Sequence, residues 1–438
     1  MRYLFLVFIS FFIISCGTTD ENSTTKTSSL NSNDSASNLT NTIEENVYSS
    51  SVIDDLNQLR INSGMIALNT NEYLNKSAYN HALYLDINNY IGHYEDEDYK
   101  KFTGRTPADR AVNSGYESRV VSENLSVGQL TESLSLKGLM GAIYHRFGFL
   151  DFKINTIGYE KVNQSYVYNM ANSDLNNLCY GNSYDEHDSY YIYVCKDTSF
   201  KIEVSTYNYE LNKTINSNPS YVIYPYANQE NVPTSFYDET PDPLPSYKVS
   251  GYPISIEFNE NQYNMDKFSI KSFIIYDENN NPLELAADYK DSDTILSATN
   301  DTNSHFNSYQ FAIFSKDRLK YNTHYNVKFT YTYDGKDKEI LWGFTTESLT
   351  NIVNYQDDLT LKANTSYNIY IKPENKDDIY TTSYISCSYS GDAYEPTYHL
   401  NYYDNNTLSL NIEGSSLVKC DLYLNKDKSN EKHSVIHF

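Results

Sequence analysis

A chain of 438 residues is too long for one ordinary domain and points to two or three. Its 57 acidic and 33 basic side chains leave a formal charge of −24, which argues against a nucleic-acid phosphate face or a polybasic grip on anionic lipid. With 45 Tyr and one Trp, the composition suits strand-rich domains, because rings pack well across pleated surfaces.

The first 16 residues, MRYLFLVFISFFIISC, place Arg2 before an apolar run that is too short to span a bilayer comfortably. The run has the proportions of a secretory leader. Its end, Ile13-Ile14-Ser15-Cys16, resembles the bacterial lipobox. That resemblance implies cleavage before Cys16, acylation of Cys16, and a membrane as partner through the lipid anchor. It also implies a bacterial cell-envelope location, with the outer membrane or cell surface favoured because residue 17 is Gly rather than Asp. Setting Cys16 aside leaves Cys179, Cys195, Cys387 and Cys420. They fall into two local pairs, and an exported chain meets an oxidising compartment, so disulfides 179–195 and 387–420 are expected. The absence of a C-x2-C spacing argues against zinc ligation by these four.

Residues 17–46 are mostly Ser, Thr and Asn and bury too little to order themselves. They read as a tether with a reach of about 30 Å. Residues 47 to about 170 turn helical. Ile53, Leu56 and Leu59 recur at helical spacing before Gly64, and a second helix is expected in EYLNKSAYNHALYLDINN. Thr106-Pro107 starts a third helix that Gly115 ends. A last helix runs through SLKGLMGAIYHRFG, followed by strands in IGYEKV and SYVYNMAN. From about 170 onward the pattern reads as β structure throughout, including FKIEVSTYNYEL, with a Pro-rich boundary at NPSYVIYPYANQENVPTSFYDETPDPLPSY. SIKSFIIYDENNNPLEL reads as a hairpin. Short strands at regular spacing imply sandwiches, and the segment from about 350 repeats the idea, as a degenerate copy of the same module would.

Three segments carry candidate chemistry: Ile91-Gly92-His93, Ser122-Glu123-Asn124-Leu125 and Tyr144-His145-Arg146-Phe147. With SGMIALNTNEYLNKSAYNHA and GRTPADRAVNSGY, their order resembles the bacterial branch of the CAP superfamily (SCP or PR-1 domains) over about 50–170. The resemblance implies an αβα sandwich with a shallow cavity in which His93, Glu123 and His145 face one another. A fourth family position, a Glu near Gly141 or Ala142, is absent. VIYPYANQENVPTSFYDETPDPLP and the later LKYNTHYNVKFTYTYDGKDKEILWGFTT resemble an Ig-like module that follows bacterial CAP domains. There Tyr325 takes the corner position and Trp342 a core position. The expected architecture is therefore multidomain: leader 1–16, tether 17–46, αβα CAP domain 47–215, Ig-like β-sandwich 216–348 and C-terminal β domain 349–438.

Two imidazoles converging on a cleft suit Zn2+ or another divalent cation, with Glu123 as third ligand or base, yet catalytic zinc usually takes three protein ligands. The competing reading makes Glu123 a polar knot between backbone amides and the two His. His81 reads as a core or boundary imidazole, and Arg110 and Arg146 as partners of carboxylates or of an anionic ligand. Glu95-Asp96-Glu97-Asp98 reads as a solvated rim. His187, His305, His324, His399, His433 and His437 lack ligand spacing and read as structural or exposed. No serine elbow, P-loop or dinucleotide fingerprint occurs. The resulting expectation is a lipid-anchored binding or interaction protein whose cleft takes a small-molecule, lipid, glycan or protein ligand, without nucleic acid. A zinc-dependent hydrolase using His93, Glu123 and His145 is the alternative. The anchor is checked by detergent phase partitioning. The chain should enter the detergent phase and Cys16→Ser the aqueous phase; a Ser variant retained in detergent overturns the lipobox reading.

Overall fold

The computed structural model of the chain describes residues 51–183, 189–287, 289, 293–373, 380, 382–389, 396–414, 418–426 and 428–438. The leader, the tether, Cys16 and His187 lie outside the described residues. The described chain divides into two compact units, residues 51–140 with His145–Asn218, and Gly141–Tyr144 with Pro219–Phe438.

The first unit opens with α1 (Val52–Asn62), capped by Ser51, whose hydroxyl takes the Asp54 amide while the Asp54 carboxylate returns to the Ser51 amide. Helices α2 (Glu72–Asn88) and α3 (Pro107–Ser114) follow. Thr106 caps α3, Pro107 sits at its first position, and Gly115 ends it at a φ of 112° that only glycine adopts freely. Next come β2 (Val121–Val127), α4 (Glu132–Gly141), α5 (Ile143–Phe149), β3 (Thr156–Val162) and β4 (Ser165–Ala171). With the short β1 (Asn69–Thr70), the strands form one sheet in the order β1-β3-β4-β2, parallel only at β1–β3.

Strand alternation divides the sheet into two faces. On one face Leu125 and Val167 pack with Ala78, Ala82, Tyr84 and Leu85 of α2. On the other, Tyr168 meets Phe149 of α5 edge to face and bonds Ser135 of α4. Helices on both faces make this an αβα sandwich. The Gly158 motif position is explained by α2: a Cβ there would lie 2.1 Å from the Leu74 carbonyl carbon.

Two expectations fail in this unit. The last helix is broken at Ala142 into α4 and α5. FKIEVSTYNYEL is mostly not a strand: after Ile202–Glu203 the chain forms α7 (Val204–Asn216), preceded by α6 (Ser173–Leu178). Val204, Tyr207, Leu211 and Ile215 recur at helical spacing, a pattern hidden by the β-favouring residues among them. The Cys179–Cys195 disulfide closes a loop onto Leu175, Ile202 and Tyr207.

The second unit holds two β-sandwiches. In the first, the sheet of Leu296–Ser297, Gln310–Ile313, Ile254–Phe258 and Tyr221–Tyr224 faces that of Phe268–Tyr276, His324–Tyr333, Lys336–Thr346 and Gln229–Val232. Aromatic rings join the sheets, with Phe258–Phe329 and Phe268–Phe311 centroids both 5.7 Å apart. Trp342 is buried against Phe273. The boundary-like Pro-rich stretch supplies two of these strands. The hairpin expected in SIKSFIIYDENNNPLEL reduces to one isolated bridge, Tyr276 to Pro282, and Phe268–Tyr276 stands at the sheet edge beside His324–Tyr333.

The second sandwich sets Ile352–Asn354, Thr365–Tyr370, Thr407–Glu413 and Thr397–Asp404 against Asp358–Thr360, Lys432–His437, Val418–Leu424 and Ser383–Tyr389. One core runs through both sheets, from Ile369, Leu408 and Leu410 to Ile385, Leu422 and Ile436. The Cys387–Cys420 disulfide joins directly opposed residues of one sheet.

The sandwiches repeat one device. LKYNTHYNV (319–327) and LKANTSYNI (361–369) agree in six positions. The Tyr325 hydroxyl accepts the Lys320 amide at 2.9 Å, and the Tyr367 hydroxyl accepts the Lys362 amide at 3.2 Å. Asn322 and Asn364 both adopt positive φ, a conformation Asn tolerates. Each donates its amide N–H to one carbonyl and its Nδ2 to the carbonyl two residues on: Glu347 and Leu349, Ile412 and Gly414. Within this unit Arg318 links the two copies. Its guanidinium lies 3.6 Å from the Tyr370 ring centroid and its Nη1 donates to Thr407 Oγ1.

Gly158→Ala should destabilise the first unit by about 2–3 kcal/mol, because the added methyl drives α2 from the sheet. Hydrogen exchange of α2 peptides checks this; unchanged protection would show that the close approach is dispensable.

Candidate functional site

The face of the sheet under α2 carries a polar row. Glu123 of β2 lies opposite Asn169 of β4, which lies opposite Gly158 of β3. Oriented so that both ends of its amide are satisfied, Asn169 donates to Glu123 Oε2 at 3.0 Å. It accepts from the Ser77 hydroxyl and the Ala78 amide of α2, both at 3.2 Å. The other members come from α2 (His81), from the loop after it (His93 and Glu95) and from α3 (Arg110). His81 and Arg110 are fully buried, and His93, Glu95 and Glu123 are each 5% exposed or less.

Glu123 is the hub. Arg110 Nη2 donates to both its oxygens, at 2.9 and 2.7 Å, and His93 Nδ1 lies 2.9 Å from Oε1. Arg110 Nη1 also donates to the His93 carbonyl at 2.8 Å, which fixes the loop that carries the imidazole. Burial pushes the Glu123 pKa up, but Arg110, His81 and His93 outweigh it and hold the carboxyl at about 2. Because the carboxylate accepts the proton on His93 Nδ1, Nε2 of the neutral ring is left as an acceptor. That Nε2 is buried and has no hydrogen-bond partner among the described residues.

Behind the hub lies a second His–carboxylate pair. His81 Nδ1 is 2.9 Å from Glu95 Oε1, and its Nε2 is 3.0 Å from the Gly92 carbonyl. Glu95 Oε2 accepts the Thr103 and Gly104 amides at 2.6 and 3.3 Å. Burial first, and then Arg110, push the His81 pKa down against the pull of the two carboxylates. The neutral ring then donates from one nitrogen only, and Nδ1–H toward Glu95 makes the shorter contact.

Glu95 is thus not part of a solvated rim; it is withdrawn into the cluster by two backbone amides and His81. Arg110 pairs with a carboxylate, whereas Arg146 Nε donates to the Met140 carbonyl. His145 sits fully buried on α5, and its carbonyl accepts from Asn124 Nδ2 at 2.8 Å. Asn124 and Glu123 are adjacent on β2 and face opposite sides of the sheet. His93 and Glu123 are therefore joined directly, while α5 packs on the other face. No local pattern marks Glu95 as a member of the cluster, since Asp96, Glu97 and Asp98 beside it are exposed.

The residues do not fit a zinc centre with Glu123 as ligand. Both its oxygens are engaged, and a guanidinium 2.7 Å away repels a cation. Among the described residues no group of three His, Cys, Asp or Glu is placed to hold a metal ion.

Residues 53–196 match the cysteine-rich secretory protein family, CAP. This segment is a CAP domain. Similar solved structures include an extracellular SCP-domain protein of Bacillus anthracis, 20% identical with a TM-score of 0.25, covering 27% of this chain and 38% of that one. An outer surface protein of Borrelia burgdorferi is 17% identical with a TM-score of 0.23, covering 27% and 86%. The chain thus spans well under half the length of the Bacillus protein. No curated protein matches.

The depressed Glu123 pKa ties stability of the CAP domain to pH. Folding gains from the ionised form above pH 4.5, and the gain is lost as pH falls toward 2. A depression from 4.5 to about 2 corresponds to about 3 kcal/mol. Glu123→Gln should be less stable at pH 7 and lose less on acidification. Hydrogen exchange of β2 peptides at pH 7 and at pH 3 checks this, after correction for intrinsic rates; parallel losses in both proteins would contradict it.

Proposed function

We propose that this is an exported, envelope-anchored CAP-domain protein that binds a ligand at the His93 face of the cluster without hydrolysing it. The observation that carries the reading is the saturation of Glu123. A carboxylate already accepting from Arg110, His93 and Asn169 orients His93 and has no lone pair placed to activate a water. The buried, unpartnered His93 Nε2 supplies an acceptor for a ligand hydroxyl or N–H. Two disulfides agree with export to an oxidising compartment, and the lipobox at Cys16 with anchoring there.

The zinc-dependent hydrolase remains the second reading. Its support is the His93–Glu123 pair itself, since a carboxylate-oriented imidazole is also how a general base is held. Among the described residues it lacks a group of three His, Cys, Asp or Glu placed to hold a metal ion. The two are separated by titrating the protein with zinc chloride in a calorimeter and following p-nitrophenyl acetate and casein cleavage. The binding reading expects no zinc uptake or turnover that depends on His93. Saturable zinc binding or cleavage that vanishes in His93→Ala overturns it in favour of the hydrolase.

A further inference from the structure

The edge of the second sandwich holds a cleft that the CAP domain does not account for. Ser383–Tyr389 ends one sheet and Thr397–Asp404 ends the other, and a cleft of about 410 Å³ opens between these strands. That volume lies in the range of small-ligand sites. Ile385 and Leu400 form its apolar part. Tyr384 and Tyr398 stand at its walls, 52% and 45% exposed, and His399 and Asn401 add polar groups. Among the described residues no Lys, Arg, Asp or Glu lines it.

The rings continue beyond the cleft. Tyr384 lies opposite Tyr423, and Tyr423 opposite His433, so three rings form a row across neighbouring strands. Their centroids are 6.2 and 4.4 Å apart, and His433 is fixed by Asp421 at 2.9 Å. Lys426 lies over the Tyr384 and Tyr423 rings. That row is already occupied, since Tyr423 and His433 stack on each other, so the cleft itself, with the half-exposed Tyr384 and Tyr398 beside it and no charged lining among the described residues, is what suits a chain of pyranose units. Their C–H faces stack on aromatic rings while their hydroxyls exchange hydrogen bonds with amide and imidazole groups.

Two features disfavour other occupants. The formal charge of −24 repels a polyanionic glycan. A peptide strand adding to the edge needs a free, regular main chain. Here the Tyr402 hydroxyl ties the two edges together by donating to the Thr382 carbonyl at 3.1 Å, and the strand register shifts between Tyr402 and Asp404.

We infer that this cleft, with Tyr384 and Tyr398 at its walls, binds a neutral oligosaccharide. The test is calorimetric titration of the full chain in detergent with cellohexaose, maltohexaose and chitohexaose, with heparin as the charged comparison. At least one neutral sugar should bind. Tyr384→Ala and Tyr398→Ala should each weaken that binding at least five-fold, while Tyr384→Phe and the surface change Tyr209→Ala in the first unit leave it unchanged. Both tyrosines are about half exposed, so thermal melts should match the parent chain. Binding of none of the neutral sugars, preference for heparin, or equal affinity in the two Ala variants would overturn the assignment.

Discussion

The buried pairing of Arg110 with Glu123 is the constraint on which the CAP domain is arranged. A guanidinium and a carboxylate enclosed together cost several kcal/mol of desolvation each unless every remaining donor and acceptor is met. Meeting them recruits one element after another. The β2 strand supplies Glu123, α3 supplies Arg110, and β4 supplies Asn169, which in turn grips α2 through Ser77 and Ala78. The loop between α2 and α3 is held at the His93 carbonyl and at Glu95. The sheet face, two helices and the loop therefore meet at one ion pair. Removing either charge leaves the other stranded.

The same arrangement explains what the site offers. Catalytic carboxylates need a free lone pair or a labile proton, and Glu123 has neither at neutral pH. It fixes the direction of the His93 ring, whose Nε2 is buried and has no hydrogen-bond partner among the described residues. His81 and Glu95 pair behind it at 2.9 Å.

The second unit is organised by repetition. In both sandwiches a Tyr five residues after a Lys accepts that Lys amide, and an Asn at positive φ ties the corner to the end of a paired strand. The corner fixes where the long strand begins, so the same nine-residue pattern sets register twice. Between the copies, Arg318 rests on Tyr370 and near Asp404, an arrangement that suits Arg because its planar group stacks and hydrogen-bonds at once.

Local features were legible in the sequence where a short-range rule decided them. The Thr106–Gly115 helix followed from its cap, its Pro and its Gly, and the strands IGYEKV and SYVYNMAN from their residue types. The local Cys pairs and the corner at Tyr325 also came from sequence alone, as did the CAP-like order of His93, Glu123 and His145. Other features depended on neighbours distant in the chain. The α7 helix forms from residues with β preference because Tyr207 closes the core around the Cys179–Cys195 disulfide. Glu95 is buried although it opens a run of four acids, because Thr103, Gly104 and His81 solvate it in place of water. Asn169 joins Glu123 to α2 across a sheet whose pairing no local pattern specifies. Propensity and capping act within a few residues and can be read from the chain. The satisfaction of buried charge depends on which groups the fold brings within 3 Å, and only the tertiary structure decides that.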